Sequence, residues 1–518
     1  MRAVIVSLGG TPLAYGNVYD SSPRLGNFVA EYFCGYLRNN TTWDIDIIFF
    51  NKFDEWGLLV DQLKGDCAFF ALDIVNYKTV KNIIELNKKV NPNMKNVLFG
   101  HFTTAYYQEV LFDIDADYCL LGDAENPGVQ LLDALENEQN VDDVKYIASK
   151  NSFHDKSKAI CMDRDRWPCF DFYENTKGKN SRKTHCLSLK NNVCNRACSF
   201  CWSSKGRYVF KSVDRIIEEI KHVCINYKVK DFYFTDNDIL DYGNQEEREI
   251  ISKVFDGIIS EKLNISIFVF AKPKSINKKN LDLLLKMKKA GVYSIFIGVD
   301  AGNDLDLKLY NKGSTFKEVF QAIRLLKKNK IWYRIGFIAT NPYTTSEKLR
   351  QNYRFLRRIG DSNYFHYGGT RVMLFKDTPL YLKVKKNNLL KENYTYLNYY
   401  EYKYADAEVE PIISFLYDEL FPELEDRIYA PYFAVRRFFE MTSTVCKVPG
   451  RKILRSYEKK QRSIVLKYFK ILFLDNNLEK ARAKKESFIK AIETNSCNFN
   501  ERINFYKQAF IDAPIIKK

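Results

Sequence analysis

The sequence predicts an α/β protein: a doubly wound parallel sheet first, then a partial β/α barrel of six units, then a mostly helical region. Short apolar segments alternate with helical patterns over residues 1–145, which is typical of a parallel sheet. A strand–helix unit recurs about six times over residues 181–385, as in β/α barrels. Residues 146–180 are polar and are interpreted as a connector. The strand rhythm is lost over residues 386–518.

Length and composition limit the classes of protein that fit. A chain of 518 residues is expected to form several domains, and its 46% hydrophobic content is ample for packed cores. We find no apolar run long enough to predict a membrane span. Met1–Gly10 lacks the length and the cleavage site of a signal peptide. A cytoplasmic location is therefore expected.

Positive charge is concentrated near the end of the sequence. The formal net charge is +16, and Val445–Lys518 contribute 18 Lys and Arg against 7 Asp and Glu. A basic segment of this kind is typical of a solvated helical face, and nucleic acid binding is the alternative. We do not expect nucleic acid to be a partner.

The strands predicted in the first region end in small or polar residues. The strand candidates are Ala3–Leu8, Asp44–Phe50, Cys67–Leu72, Val97–Phe99 and Tyr118–Leu121, and Thr79–Val90 and Glu125–Leu135 have helical patterns. Ligands of doubly wound sheets bind beyond the carboxyl ends of the strands. Those ends are Gly9-Gly10, Asp73–Asn76, Gly100–Thr104 and Gly122–Glu125.

The barrel region has six strand candidates and clear helix boundaries. The strands are Thr184–Lys190, Asp231–Thr235, Ile265–Ala271, Tyr293–Gly298, Trp332–Ile338 and Tyr364–Leu374. The boundary signals are capping boxes at Thr315/Glu318 and Thr344/Glu347 and helix C-caps at Gly291 and Gly360. Active sites of such barrels lie at the carboxyl ends of the strands.

Three cysteines follow the first strand of the barrel region in the spacing C-x3-C-x2-C. They are Cys194, Cys198 and Cys201, within the sequence NNVCNRACSFCW. Three thiolates on one loop can bind three irons of a 4Fe–4S cluster and leave the fourth iron open. A zinc site is the alternative, but it would use a second cysteine pair, which is missing here. Four other cysteines lie in apolar patterns and are expected to be plain buried thiols: Cys34, Cys67, Cys119 and Cys224.

This loop resembles the signature of the radical S-adenosylmethionine (SAM) superfamily, with Phe200 at its aromatic position. The resemblance extends over residues 180–385. It implies that SAM binds the open iron and is cleaved to a 5′-deoxyadenosyl radical. It also implies an external electron donor such as flavodoxin or ferredoxin.

Further positions match the family's SAM-binding segments. Asp236 lies in FYFTDND at the end of the second strand, Lys272 in FVFAKP at the third, and Asp300 in GVDAGN at the fourth. With Phe200, these residues are the SAM contacts that the resemblance implies. A polar loop with helix-capping roles is the alternative for Asp236.

The first region resembles the cobalamin-binding domains that precede the barrel in one branch of the family. The matching stretch is Val97–Leu132, with its turn at Gly122–Glu125. The contacts that this resemblance implies for the cobalamin tail are Gly9, Gly10, Gly100, Thr103 and Gly122. His101 is not expected to bind cobalt. The alternative is a sheet that only supports the barrel.

The leading hypothesis is cobalamin-dependent methyl transfer to an unactivated carbon or phosphorus of a small molecule or peptide. One alternative is a cobalamin-independent radical rearrangement, oxidation or cyclisation. Others are RNA modification and a cluster-bearing protein that only binds or senses. Six tyrosines in Tyr394–Tyr404 predict either packing against the barrel or a wall of the substrate site.

Overall fold

A computed structural model of the chain describes residues 1–8, 28–50, 56–152, 158–175, 184–191, 193–201, 207–424 and 450–511. By their internal contacts these residues form two compact units. The first unit holds the described residues up to Asn195 together with 207–269. The second unit holds 196–201 together with 270–511.

The first unit begins with a six-stranded sheet. Its strands are β1 (Arg2–Leu8), β2 (Asp44–Phe50), β3 (Cys67–Ala71), β4 (Lys95–Phe99), β5 (Tyr118–Leu120) and β6 (Ile147–Ala148). They lie in the order β2-β1-β3-β4-β5-β6, and every neighbouring pair is parallel except β5 and β6. The strand order reverses between β1 and β3, which is where such sheets bind ligands. The predicted doubly wound sheet is confirmed.

Five helices surround this sheet. They are α1 (Phe28–Asn40), α2 (Trp56–Val60), α3 (Tyr77–Val90), α4 (His101–Asp113) and α5 (Glu125–Glu136). Helix α1 buries Ala30, Phe33, Cys34 and Leu37, the spacing of one helical face. A side chain at Gly128 of α5 would lie 2.5 Å from the Phe33 ring, so only glycine allows α1 and α5 to pack this closely.

The first unit continues into the barrel region with three parallel strands. Its elements are α6 (Asp171–Asn175), β7 (Thr184–Leu187), α7 (Val213–Asn226), β8 (Asp231–Phe234), α8 (Gln245–Ser260) and β9 (Ser266–Ala271). Strand β8 pairs with β7 and with β9. Ser212 caps α7 by accepting a hydrogen bond from the Arg215 amide. Strand β9 runs from the first unit into the second.

The second unit continues the alternation. Its elements are α9 (Leu281–Ala290), β10 (Val292–Asp300), α10 (Asp304–Leu309), α11 (Phe316–Lys328), β11 (Trp332–Phe337) and α12 (Ser346–Ile359), and β10 and β11 are parallel. The predicted capping box of Thr315 and Glu318 is present, and α9 and α12 end at Gly291 and Gly360. Thr345 caps α12 in place of Thr344, whose hydroxyl accepts from the Asn341 amide instead.

The prediction of a sixth strand at Tyr364–Leu374 is wrong. Tyr364–Tyr367 form a 3₁₀ helix that is capped by Asn363, whose side chain accepts from the Phe365 amide. Gly368 and Gly369 then turn the chain. In this segment a single parallel bridge joins Arg371 to Thr340, next to the end of β11. Two glycines in succession favour this turn over a continuous strand.

The last region is mostly helical, as predicted, with one exception. Its helices are α13 (Pro379–Lys386), α14 (Glu410–Ser414), α15 (Phe421–Leu424), α16 (Gly450–Phe473), α17 (Leu478–Ala483) and α18 (Lys485–Ile511). The exception is the tyrosine segment, Tyr394–Tyr404, which is not helical. Within this segment, Tyr402 forms an isolated antiparallel bridge with Leu390, which precedes the segment in sequence. None of the helices in the described ranges is both long enough and apolar enough to cross a membrane.

A buried polar network joins the sheet and the barrel strands of the first unit. The Tyr32 hydroxyl on α1 donates to Glu219 on α7 at 2.5 Å, and His185 on β7 lies 2.9 Å from the same carboxylate oxygen. Lys211 pairs with the other oxygen. Although burial alone would raise the pKa of Glu219, Lys211 and His185 lower it to about 2. An ionised Glu219 therefore fixes α1 to β7 and α7.

Candidate active site

The first part of the cysteine loop leaves β7 beside Asp236. The Asp236 carboxylate is buried and accepts hydrogen bonds from the Leu189 and Lys190 amides at 3.0 and 3.1 Å. Burial raises the pKa of Asp236, and Lys190 opposes this shift. The structure thus gives Asp236 a definite role: it holds the chain just before Cys194.

Lys190, Tyr208 and Asp241 stabilise the same stretch from the other side. The Lys190 ammonium lies 3.9 Å from the centre of the Tyr208 ring and donates to the Asp241 carbonyl at 2.7 Å. The Tyr208 hydroxyl donates to the Asp241 carboxylate and accepts from the Asn195 amide. Cys194, the residue before Asn195, is buried. Its backbone position is therefore set by a closed polar cluster.

The second part of the loop, Cys198–Cys201, is a turn held through Ser199. The Cys201 amide donates to the Cys198 carbonyl at 3.2 Å. The Ser199 amide and hydroxyl donate to the carbonyls of Tyr310 and Leu309, and the Leu380 amide donates to Ser199. Cys198 and Cys201 are partly exposed. Backbone bonds thus fix the turn that carries these two cysteines.

Asp300 and Lys312 form a nearly buried ion pair next to this turn. Their side chains are 13% and 4% exposed. Burial would lower the pKa of Lys312, but the charges of Asp300, Cys198 and Cys201 outweigh it and raise that pKa. A side chain at Gly298 would be in ordinary contact with the Lys312 ammonium, at 3.4 Å. The pair therefore lies beside Cys198 and Cys201, with the Lys312 ammonium as the neighbouring group.

Phe200 packs against Tyr310, which is in turn hydrogen-bonded to Asn341. Its ring meets Tyr310 edge-on with centres 5.3 Å apart, and the Tyr310 hydroxyl accepts from the Asn341 side chain at 2.8 Å. Lys272 stands just after β9 and is partly buried. The second unit therefore brings together Cys198, Phe200, Cys201, Asp300 and Lys312, while Cys194 and Asp236 belong to the first unit.

At the carboxyl edge of the first sheet, Gly100 and Gly122 are joined through Thr104. Gly100 starts α4 with φ of 109°, a backbone angle that favours glycine. The Thr104 hydroxyl donates to the Gly100 carbonyl and accepts from the Gly122 amide. Thr103 is fully buried, and its hydroxyl donates to the Phe99 carbonyl. The structure thus places Thr103 inside the domain and Thr104 between the two glycines.

Gly122 has a packing reason to be glycine. A side chain there would lie 2.3 Å from the Ala159 carbonyl oxygen, because the connector crosses the turn at this point. The Ala159 amide donates to Leu121, and the Asp123 amide donates to Ala159. Gly9 and Gly10 lie outside the described residues.

Glu125 lies at the turn that follows Gly122, and its pKa is raised. Burial and the neighbouring Asp123 raise the pKa of Glu125 to about 7, and Arg166 opposes the shift. Between pH 4.5 and 7 the folded chain therefore keeps a proton on Glu125 that the unfolded chain has lost. The raised pKa makes Glu125 destabilising as the pH rises through this window.

We expect Glu125→Gln to stabilise the protein by roughly 1–3 kcal/mol at pH 8, because glutamine is uncharged like the protonated acid. The gain should shrink toward zero as the pH falls to 4.5. Urea unfolding at several pH values measures it. The control is Glu138→Gln, since Glu138 is exposed just beyond α5. A gain that does not depend on pH would contradict the assignment.

Sequence reasoning missed Lys312, Ser199 and Thr104 as members of these sites. Lys312 lies in an Asn-Lys-Gly stretch, and its pairing with Asp300 has no local sequence signal. Ser199 lies inside the cysteine motif, where a small hydroxyl residue could have signalled an anchor. Thr104 carried no signal that distinguishes it from Thr103.

The thiols fit cluster ligation in chemistry. No cysteine in the described ranges is part of a disulfide, and this includes the three of the motif. Cys34, Cys67, Cys119 and Cys224 are buried, which confirms the prediction for them. In the same ranges no three His, Cys, Asp or Glu side chains are gathered in metal-binding geometry. The assignment of Cys194, Cys198 and Cys201 as ligands therefore rests on their spacing and on their not being in disulfides.

Comparison with known proteins identifies the barrel region. Residues 189–356 match the model of the radical SAM superfamily. The structure of OxsB, a cobalamin-dependent SAM radical enzyme with aqua-cobalamin and SAM bound, matches with a TM-score of 0.71 at 17% identity. This match covers 100% of the chain and 81% of OxsB. The radical SAM methyltransferase TsrM from Kitasatospora setae matches with a TM-score of 0.60 at 13% identity, over 75% and 76% of the two chains.

Sequence relatives carry different activities in their names. An anaerobic magnesium-protoporphyrin IX monomethyl ester cyclase from Rubrivivax gelatinosus is 25% identical over 63% of the chain, and the match spans 61% of the cyclase. An uncharacterised methyltransferase from Pyrococcus horikoshii is 22% identical over 72% of the chain and 81% of that protein. The fold is thus shared with cobalamin-dependent radical SAM enzymes, while the reaction differs among the relatives.

Proposed function

Because residues 189–356 form a radical SAM domain, we propose that this protein is a cobalamin-dependent radical SAM enzyme that transfers a methyl group. The observation that carries the proposal is the combination of this domain with a doubly wound sheet whose switch point lies between β1 and β3. The substrate would be a small molecule or peptide, and an external flavodoxin- or ferredoxin-type protein would supply electrons.

In this proposal Cys194, Cys198 and Cys201 hold a 4Fe–4S cluster. The cluster, when bound with SAM, supplies reductive cleavage of SAM to a 5′-deoxyadenosyl radical. The chain's own contribution is positional: Ser199 anchors the turn that carries two of the thiols. The ammonium of Lys312, paired with Asp300, lies next to that turn.

SAM would be bound by Phe200, Lys272 and Asp300, which all belong to the second unit. Asp300 has φ of 61° and sits at a bulge where the pairing of β10 and β11 shifts register. Bulges often re-aim side chains at binding sites. Asp236 is proposed to act indirectly, since its carboxylate oxygens are bound to backbone amides.

Asp300→Asn is expected to weaken SAM binding about tenfold or more while the iron content stays unchanged. Losing a charge-assisted hydrogen bond to a ligand costs roughly 1.5–3 kcal/mol. Equilibrium dialysis of SAM against the reconstituted protein measures the effect. The matched control is Asp304→Asn, a carboxylate at the start of α10. If Asp300→Asn binds SAM with unchanged affinity, Asp300 does not contact SAM and its role is only to pair with Lys312.

We propose that cobalamin lies at the carboxyl edge of the first sheet, and when bound it supplies the methyl group for transfer. Gly100, Thr104 and Gly122 line this edge, and Gly9 and Gly10 follow β1 in the sequence. Thr103 supports the edge from inside the domain. His101 is not assigned to cobalt.

A radical cyclisation or oxidation is the second candidate, favoured by the similarity to the ester cyclase. Products of SAM distinguish the two candidates. Methyl transfer yields S-adenosylhomocysteine together with 5′-deoxyadenosine, whereas the second candidate yields 5′-deoxyadenosine alone. Anaerobic turnover followed by mass spectrometry is the test. If strong reductant gives neither product, radical SAM activity is rejected.

A further inference from the structure

Next to the end of β11, the side chain of Arg371 lies between two tyrosine rings. Its guanidinium carbon is 4.5 Å from the centre of the Tyr400 ring and 4.2 Å from that of Tyr417. Arg371 and both tyrosines are partly exposed. A guanidinium that contacts aromatic rings still carries N–H groups in a planar fork, which can donate to a planar or tetrahedral oxyanion.

The backbone around Arg371 is firmly placed. The Val372 amide donates to the Thr340 carbonyl, and the Ala339 and Thr340 amides both contact the Thr370 carbonyl. The Thr340 hydroxyl lies 2.9 Å from that of Tyr417. These bonds attach Arg371 to the carboxyl end of β11, the end of a barrel strand at which active sites form.

Arg371 has aromatic neighbours on the described part of the chain, and Glu410 is the carboxylate whose charge acts on the adjacent Tyr404. Among the residues that the structure describes, no carboxylate forms an ion pair with Arg371. Burial raises the pKa of Tyr417 well above its usual value and also raises that of Tyr404. Both phenols are therefore neutral near pH 7, and neither supplies a negative charge.

Arg371 is also linked to the proposed SAM site within the second unit. Asn341, the residue after Thr340, donates to the Tyr310 hydroxyl, and Tyr310 packs on Phe200. The Ile338 amide donates to the Asp300 carbonyl at 3.0 Å. The same strand end thus contacts both the SAM-binding side chains and Arg371.

We propose that Arg371, held between Tyr400 and Tyr417, binds an oxyanion of the substrate, either a carboxylate or a phosphate. This inference rests on the proposed function and adds the class of substrate to it. It also gives the tyrosine segment two roles. Tyr394 and Tyr402 pack, with hydroxyls that donate to the Leu374 and Val372 carbonyls. Tyr400 forms part of the oxyanion site.

The test measures anion binding to the full-length, cluster-loaded protein at fixed ionic strength. The probes are inorganic phosphate, followed by ³¹P line broadening, and acetate, followed by saturation transfer to its methyl group. Arg371→Met should weaken binding of at least one probe about tenfold, since charge-assisted contacts are lost. Arg371→Lys should weaken it less, because lysine keeps the charge without the planar donor fork.

The matched control is Arg358→Met. Arg358 also stacks on a ring, with its guanidinium carbon 4.3 Å from the centre of the Phe320 ring, but it lies on the exposed side of α12. This variant should bind both probes like the wild type. A loss of phosphate binding alone indicates a phosphorylated substrate, and a loss of acetate binding alone indicates a carboxylate.

The proposal is overturned if Arg371→Met, with normal iron content, binds both probes as tightly as the wild type. Should that variant fail to fold, Arg371→Lys decides by the same criterion. These measurements need no SAM cleavage. A failure of the oxyanion site can therefore be distinguished from a failure of the proposed radical SAM activity.

Discussion

Replacing Cys194, Cys198 or Cys201 by alanine is expected to abolish the visible iron–sulfur absorbance and all cleavage of SAM. A cluster that already has one open iron has three protein ligands, so it has no ligand to spare. Each substitution removes a thiol without touching the Ser199 anchors or the Asp236 bonds to the backbone. Iron analysis and 5′-deoxyadenosine formation measure the effect.

Cys161, Cys169 and Cys186 provide matched controls. All three are buried cysteines outside disulfides and close to the motif in sequence, and none has ligand spacing. Their alanine variants should keep about four irons per chain and should still cleave SAM. If one of them lost the cluster, that cysteine would be a ligand and the open-iron assignment would fail.

Local sequence patterns determined much of this architecture. Asp44–Phe50 was predicted as a strand and is β2, because its apolar residues form a short run between polar ones. Thr315 marked a helix start correctly because a hydroxyl cap bonds to an amide only three residues away. Predictions that depend on such short distances along the chain held well.

Errors arose where tertiary contacts decide. Tyr364–Leu374 is as aromatic and apolar as a strand, yet it turns at Gly368-Gly369. The capping role expected of Thr344 went to Thr345, because Thr344 bonds to Asn341 instead. In both cases a neighbouring alternative had similar local propensity, and packing selected between them.

The chemistry of the site was only partly predictable for the same reason. The cysteine spacing is a local signal and could be recognised directly. Tyr32 and Glu219, in contrast, meet across 187 residues of sequence. The pairing of Asp300 with Lys312 also depends on how the chain returns after α10. A buried charge pair of this kind has no sequence signature beyond the residue types themselves.

Gly100→Leu is expected to expel cobalamin and to spare the iron–sulfur cluster. Gly100 combines φ of 109° with a position at the carboxyl end of β4, and a side chain there would begin 3.4 Å from the Leu72 carbonyl oxygen at the end of β3. A cobalamin tail that approaches this edge needs the space that glycine leaves. The wild type, purified from cobalamin-fed cells, should carry about one cobalamin per chain, measured by its absorbance against the protein concentration.

Backbone strain alone would also destabilise Gly100→Leu, so the comparison with Gly65→Leu is essential. Gly65 has φ of 146°, and a side chain there would lie 2.6 Å from the Arg2 carbonyl oxygen. Gly65 lies just before β3, so its replacement would strain the same sheet at the amino ends of the strands, opposite to Gly100. Gly65→Leu should lower stability yet keep cobalamin, and His101→Ala should leave the cobalt spectrum unchanged. If the wild type binds no cobalamin but still forms 5′-deoxyadenosine, the sheet is a support and the cyclisation or oxidation hypothesis takes the place of methyl transfer.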